Sequence, residues 1–350
     1  MFLGLGTGIT FAGAGPHADL KADGVELIPE ITEVLRHFAP HNSLRPGLQV
    51  RIADARRFVR ASHEQYDVIV ADLFHPARDG AGALYTLEHF QAIRSRLAPG
   101  GLFCQWLPLY QLDEAMVQVI VRTYLEVFPQ ARAFLLRFNV DTPVLGLIAS
   151  TEPALYPADW FAQRVQDPDL MKELKGLTLL DGLHLFGSFV AGPQALQEFS
   201  KHADLNTDDR PVVIFRAPLF ALRRKETPYG RLFTLLERGG SDPAQLIEQS
   251  GSASNEPFRA ELVNFIKARN IYLRGLAAES EGHLASALDA YIDSARTSDR
   301  FSTAYARCLT IAVQRAKSHP DEARQLLERL AEAQPSRPVA NELLKRLFPP

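Results

Sequence analysis

The sequence predicts an α/β chain: a mostly parallel, doubly wound sheet closed by an antiparallel hairpin, then an α-helical C-terminal region. Three observations carry this. Over residues 1–150 short apolar runs alternate with helical patterns, which argues a parallel sheet with helices on both faces. Two of those runs, YDVIVAD and GLFCQWL, are almost continuously apolar, as strands buried on both faces are. From residue 257 onward the pattern is wholly helical.

Strands are expected over residues 1–5, 24–28, 49–53, 66–72 and 101–106, most of them bounded by Gly, Pro or Asp. Helices are expected between them over 29–38, 55–62, 86–97 and 113–128. Pro29 suits a first helical turn, where its missing N–H would have had no intrahelical partner. Ala98-Pro99-Gly100-Gly101 stops the helix after the fourth strand. Runs at 133–138 and 144–150, joined by a turn around Asn139-Val140-Asp141, suit the closing hairpin.

Residues 151–238 are rich in Pro and Gly, with helical patches at 158–166 and 194–202, and read as an extension packed on the first domain. The polar stretch 239–256 reads as a linker. Within the helical region 257–347, Gly275, Gly282, Ala287 and Tyr291 fall at offsets resembling a tetratricopeptide repeat. A weaker match has Ala323, Leu327 and Pro335. A generic helical bundle is the alternative.

Composition excludes several classes. Lys+Arg 38 against Asp+Glu 41 leaves a net charge of −3, so nucleic acid is not the expected partner. Two cysteines, Cys104 and Cys308, far apart in sequence, make no disulfide framework and no zinc spacing, so no metal is expected and a reducing compartment fits. No run of 18 or more apolar residues is present. The N-terminus is small and apolar but lacks a basic n-region, so it does not read as a signal peptide. A cytoplasmic location is the expectation, with membrane association only through a separate upstream segment.

Functional residues gather at the strand ends. Gly4-Leu5-Gly6-Thr7-Gly8 ends the first strand, where glycines permit a tight turn and close approach of a ligand to the backbone. The dinucleotide fingerprint fails, because its last glycine position holds Ile9. Glu26 lies near the end of the second strand, where an acid can bind ribose hydroxyls. Asp54 follows the third strand and Asp72 ends the fourth. One such Asp is readily explained as a helix cap. Features at four successive strand ends point to a ligand site, because open α/β sheets bind ligands there.

With these motifs in place, residues 1–150 resemble the spermidine synthase family, within the class I S-adenosylmethionine-dependent transferase fold. GLGTG is similar to the family's glycine loop. YDVIVADLFHP followed by ALYT resembles its fourth strand, catalytic aspartate and tyrosine-bearing gate loop, and GLFCQWLPLYQLDEAM its fifth strand and following helix. LNTDDRPVVIFRAP resembles a segment of larger bacterial relatives, which often carry membrane-spanning domains upstream. The resemblance implies a Rossmann-like class I methyltransferase sheet. It implies S-adenosylmethionine or its decarboxylated form as co-substrate, held by Gly4, Gly6, Thr7, Gly8, Glu26 (ribose), Asp54 (adenine) and Ala55 (base pocket). Asp72 becomes the base that deprotonates an amine acceptor, with Tyr85 and Gln105 bordering the acceptor site.

The match has three departures. Thr7 stands where the family has an acid that grips the aminopropyl ammonium. In Asp72-Leu73-Phe74-His75-Pro76, His75 replaces the second acid of D-x-x-D-P, with Asp79 or Asp208-Asp209 as candidate substitutes. The family's N-terminal β-rich domain is expected to be missing, since the sequence reads as beginning inside the first strand. Losing a charge partner from a desolvated ammonium costs about 3–5 kcal/mol, and each 1.4 kcal/mol or so is tenfold in rate. Three readings follow: aminopropyl transfer with Asp72 as base, methyl transfer to a non-polyamine acceptor, or a catalytically weak nucleotide-binding module whose helical tail recruits a protein. Compatible partners are an amine acceptor, a second copy of the chain and a protein bound by the C-terminal helices.

Overall fold

Strand β1 (Phe2–Leu3) is short but central: it pairs in parallel with β2 (Ala22–Glu26) on one side and β4 (Tyr66–Ala71) on the other. Strand β3 (Leu48–Ile52) lies parallel beyond β2. Beyond β4, β5 (Leu97–Pro108) is parallel, whereas β6 (Arg132–Leu135) and β7 (Val144–Ser150) run antiparallel, with β7 between β5 and β6. With β8 (Phe189–Ala191) at the edge, the sheet among the described residues reads β3-β2-β1-β4-β5-β7-β6-β8. This is the Rossmann-like class I methyltransferase sheet. Its chain order reverses between β1 and β4, which is where such sheets open a ligand crevice.

The protein is represented by a computed structural model that describes residues 1–17, 19–38, 47–72, 74–78, 80–152, 155–222, 227–239, 242, 245–248 and 255–349. Contacts divide it into two units. The first comprises Met1–Arg137, Thr142–Ala154 and Val190–Gly240, and the second Phe138–Asp141, Leu155–Phe189 and Ser241–Pro350.

In the first unit, helices α1 (Ile9–Ala12), α2 (Pro29–Val34), α3 (Ala55–Ala61), α4 (Leu87–Ser95) and α5 (Glu114–Val127) connect the strands. The core between α4, β5 and α5 is aromatic. Phe103 stacks on Tyr124 at 5.5 Å between ring centroids, and Phe90 meets Tyr124 edge-on at 5.2 Å. Strand β2 ends at Glu26 rather than residue 28. Leu27 and Ile28 prolong the apolar run but are 63% and 47% exposed, so the composition of the run outlasts the pairing. The helix expected over 29–38 finishes as a 3₁₀ turn, Leu35–Phe38.

The extension expected over 151–238 divides. Residues 155–189, with α6 (Trp160–Arg164), α7 (Pro168–Gly176) and α8 (Gly182–Phe186), cluster with the second unit. Residues 190–240, with α9 (Pro193–Ser200), α10 (Val212–Leu222) and α11 (Pro228–Gly239), cluster with the first. The reason lies in long-range polar ties. Within the second unit Arg269 donates to the carbonyls of Gly187 at 2.6 Å and Phe189 at 2.7 Å, and Arg300 pairs with Asp181 at 2.7 Å. Of the expected linker, 240–241, 243–244 and 249–254 lie outside the described residues; Leu246 and Ile247 are fully buried.

The rest of the second unit is α12 (Asn255–Ser280), α13 (Leu284–Thr297), α14 (Ser302–Arg315), α15 (Pro320–Ala333) and α16 (Val339–Leu347), each packed on the next. A Cβ at Gly275 would come within 2.5 Å of the Tyr291 ring, so a small residue is required where α12 meets α13. Among the described residues no helix is long and apolar enough to cross a membrane.

Candidate active site

The glycine loop between β1 and α1 is built from left-handed backbone. Gly4, Gly6 and Gly8 have φ of 77°, 52° and 75°, which a side chain would disfavour. Gly4 is constrained twice, since a Cβ there would also meet the Phe74 ring at 2.8 Å. The loop is then tied to β2. Glu26 is buried, and its Oε2 accepts the N–H groups of Leu5 at 3.0 Å and Gly6 at 3.3 Å. Its Oε1 accepts from Ile28 at 3.0 Å. The acid at the end of β2 thus organises the loop as well as facing the crevice.

Asp54 caps α3, accepting the N–H of Arg57 at 2.8 Å, so the structural role weighed for it in the sequence is present. Asp72 follows β4, and its N–H donates to the carbonyl of Leu3 at 3.0 Å, which fixes it beside the glycine loop. A cavity of about 580 Å³ opens over these strand ends. Of the residues singled out from sequence, Gly4, Gly6, Thr7, Glu26, Asp54, Ala55, Asp72 and His75 line it. Gly8 sits just behind the lining as the N-cap of α1. Asp79 lies outside the described residues.

Tyr85 and Gln105 are placed elsewhere. Both are fully buried and neither lines the cavity. The Tyr85 hydroxyl donates to the carbonyl of Phe74 at 2.9 Å, bracing the loop between β4 and α4 from beneath, and burial raises its pKa far above the ordinary value. Gln105 sits inside β5, paired to Ala71 on one side and Leu147 on the other. Strand β5 runs on to Pro108, so Gln105 is within the sheet rather than at its carboxyl edge. Its neighbour Cys104 has a thiol pushed up to about 12 by burial, with the Asp72 charge adding to the effect, so it is no nucleophile at neutral pH.

Sequence reading missed Phe74, Arg56 and Arg78 among the lining residues. A signal existed for Arg56, which directly follows Asp54-Ala55, and for Arg78, which lies three residues beyond His75. The guanidinium of Arg56 donates to the carbonyl of Ala83 at 2.9 Å and forks onto the Asp208 carboxylate. That pairing holds the Asp208 carboxyl below the usual carboxylate range. Asn206, fully buried, donates to the carbonyl of Tyr85 at 2.9 Å and accepts from the N–H of Val213 at 3.1 Å; its own N–H donates to the Thr123 hydroxyl at 2.9 Å. The LNTDDRP segment is therefore a brace for the gate loop, and Asp208 is committed to Arg56. Among the described residues no group of three or more His, Cys, Asp or Glu is placed to hold a metal ion.

Comparison with known proteins finds the same resemblance over part of the chain. Residues 19–142 match the spermine/spermidine synthase domain. Polyamine aminopropyltransferase 2 of Hyperthermus butylicus is 30% identical over 169 residues, 48% of this chain and 55% of the relative. Putrescine N-methyltransferase 2 of Nicotiana tabacum is 30% identical over 115 residues, 31% of each chain. A crystal structure of a spermidine synthase with the transition-state analogue AdoDATO superposes with a TM-score of 0.39 at 22% identity, over 50% of this chain and 68% of that one. The chain spans about half the length of the polyamine aminopropyltransferases it matches, 55% and 54% for the first two. Residues 19–142, which carry much of the sheet and the strand-end motifs that line the cavity, are thus similar to the spermine/spermidine synthase domain.

Proposed function

We propose that this protein is a transferase that uses S-adenosylmethionine or its decarboxylated form and moves a carbon group onto an amine, with Asp72 as base. The observation that supports this most is the single cavity wall shared by the glycine loop, Glu26, Asp54-Ala55 and Asp72. The residues fit a nucleoside. Positive-φ glycines leave the loop without Cβ atoms that would fill the crevice, and Glu26 and Asp54 offer acceptors to ribose hydroxyls and an adenine amino group.

A bound sulfonium supplies a carbon electrophile with a neutral thioether as leaving group. The chain's part is to present the nucleophile. An ammonium has no lone pair, so a carboxylate must take its proton and hold the amine in line. Asp72, set beside the glycine loop by its N–H bond to Leu3, is the carboxylate for that role. Methyl transfer is the second reading. It is favoured by Thr7, which carries no charge to repel the carboxylate of S-adenosylmethionine, and by the similarity to a putrescine N-methyltransferase.

The test is calorimetric titration with 5′-methylthioadenosine, S-adenosylmethionine and decarboxylated S-adenosylmethionine, on the wild type and on Asp72→Asn. All should bind the wild type. Asp72→Asn should keep nucleoside binding and lose turnover of any amine the wild type accepts. Turnover surviving that substitution would remove Asp72 as base, and binding of none of the three would remove the transferase reading.

A further inference from the structure

The cavity carries cationic as well as acidic side chains. Glu26 has both oxygens on backbone N–H groups, Asp54 caps α3, and Arg56 is held by Asp208 and Ala83. Asp72, His75 and Arg78 line the cavity beside the gate loop. The Nδ1 of His75 accepts the N–H of Ala77 at 3.3 Å. That bond requires a lone pair on Nδ1, so the neutral ring carries its proton on Nε2 and is a donor there. Arg78 stands exposed at the rim, and no described carboxylate forms an ion pair with it. Among the described residues beside that loop, a ligand meets the Asp72 carboxylate, an imidazole donor and a permanent cation.

We propose that this end of the cavity recognises a ligand bearing a carboxylate next to its amine, the charge pair of an amino acid. Arg78 takes the carboxylate, His75 supports it from the same loop, and Asp72 faces the amine. A guanidinium suits the task because its parallel N–H groups match the two carboxylate oxygens. Thr7 agrees with this, presenting a hydroxyl where a second acid would repel the same group. Two molecules carry such a pair: the methionyl tail of S-adenosylmethionine, and an amino-acid acceptor. The inference rests on the transferase reading above.

The experiment titrates the full chain with matched pairs. The first pair is S-adenosylmethionine against decarboxylated S-adenosylmethionine. The second is ornithine, whose carboxylate sits next to one of its amines, against putrescine, added to protein saturated with 5′-methylthioadenosine. Each is repeated with Arg78→Gln. The carboxylated member of one pair should bind about tenfold tighter, the size of one charge-assisted contact at a solvated rim. Arg78→Gln should abolish that margin and leave 5′-methylthioadenosine affinity within about twofold. A margin in the first pair identifies the methionyl tail as the source, and one in the second identifies the acceptor. Equal or tighter binding of the all-cationic member in both pairs overturns the proposal, as does a margin that survives Arg78→Gln. Failure of 5′-methylthioadenosine to bind the wild type overturns the transferase reading itself, and this inference with it.

Discussion

The guanidinium of Arg56 forks onto the carboxylate of Asp208, 152 residues further along the chain. Because Arg56 also holds the carbonyl of Ala83, the pair fastens the start of α3, the gate loop and the LNTDDRP segment together at the cavity wall. Asp208→Ala should lower stability by only about 1 kcal/mol, since solvent-accessible ion pairs contribute little. It should weaken 5′-methylthioadenosine binding by about fivefold as the wall loosens. The Arg56 hydrogen bond depresses the Asp208 pKa, so the folded state binds fewer protons there than the unfolded one. The stabilisation is therefore present above the ordinary Asp value, about 4, and is lost as the pH falls through the lower folded value. Melting temperatures of wild type and Asp208→Ala should differ at pH 7 and converge in acid.

Glu26→Ala should disorganise the glycine loop. It removes the acceptor of three backbone N–H groups, those of Leu5, Gly6 and Ile28. The buried Leu5 amide dominates the cost, about 1–3 kcal/mol. Glu26→Gln keeps one accepting oxygen and should recover part of that stability, but its NH₂ group opposes a backbone donor. Hydrogen exchange at Leu5, Gly6 and Ile28 reports the loss of protection, and both variants should bind nucleoside at least about tenfold more weakly.

In the second unit, Arg269→Met should be severe. Arg269 is fully buried, and its described acceptors are the carbonyls of Gly187 and Phe189 and the Asn270 side chain rather than a carboxylate. Burial pulls its pKa down to about 9, a measure of how little water reaches it. Methionine fills similar volume but takes the guanidinium donor from two buried carbonyls, a loss of about 2–4 kcal/mol. A urea titration of each protein would show it as a lowered midpoint at an unchanged slope.

The two cysteines should be silent to thiol reagents in the folded protein. Burial pushes both thiols up to about 12. At pH 8 the thiolate fraction then falls about a thousandfold or more below that of a free cysteine. Labelling should be negligible in the native state and reach two thiols per chain in denaturant; rapid native labelling of Cys104 would show that the sheet beside Asp72 opens.

What the sequence determined by itself was the sheet and the strand-end residues of the cavity wall. Alternating apolar and helical patterns and residues at strand ends are local features, and the class I topology places the ends of β1, β2, β3 and β4 side by side. Gly4, Gly6, Thr7, Glu26, Asp54, Ala55, Asp72 and His75 meet there for that reason. The tertiary structure alone decided what depends on partners distant in sequence. Tyr85 and Gln105 match motif positions, yet they are buried, one bracing a loop and the other paired inside the sheet. Residues 155–189 cluster with the helices because of donors 80 or more residues away, on Arg269 and Arg300. Asp208 reads as a candidate acceptor-site acid until Arg56 is seen to hold it. Periodicity records which face of an element is buried; it does not record which far segment supplies the hydrogen bond or charge that the burial then demands.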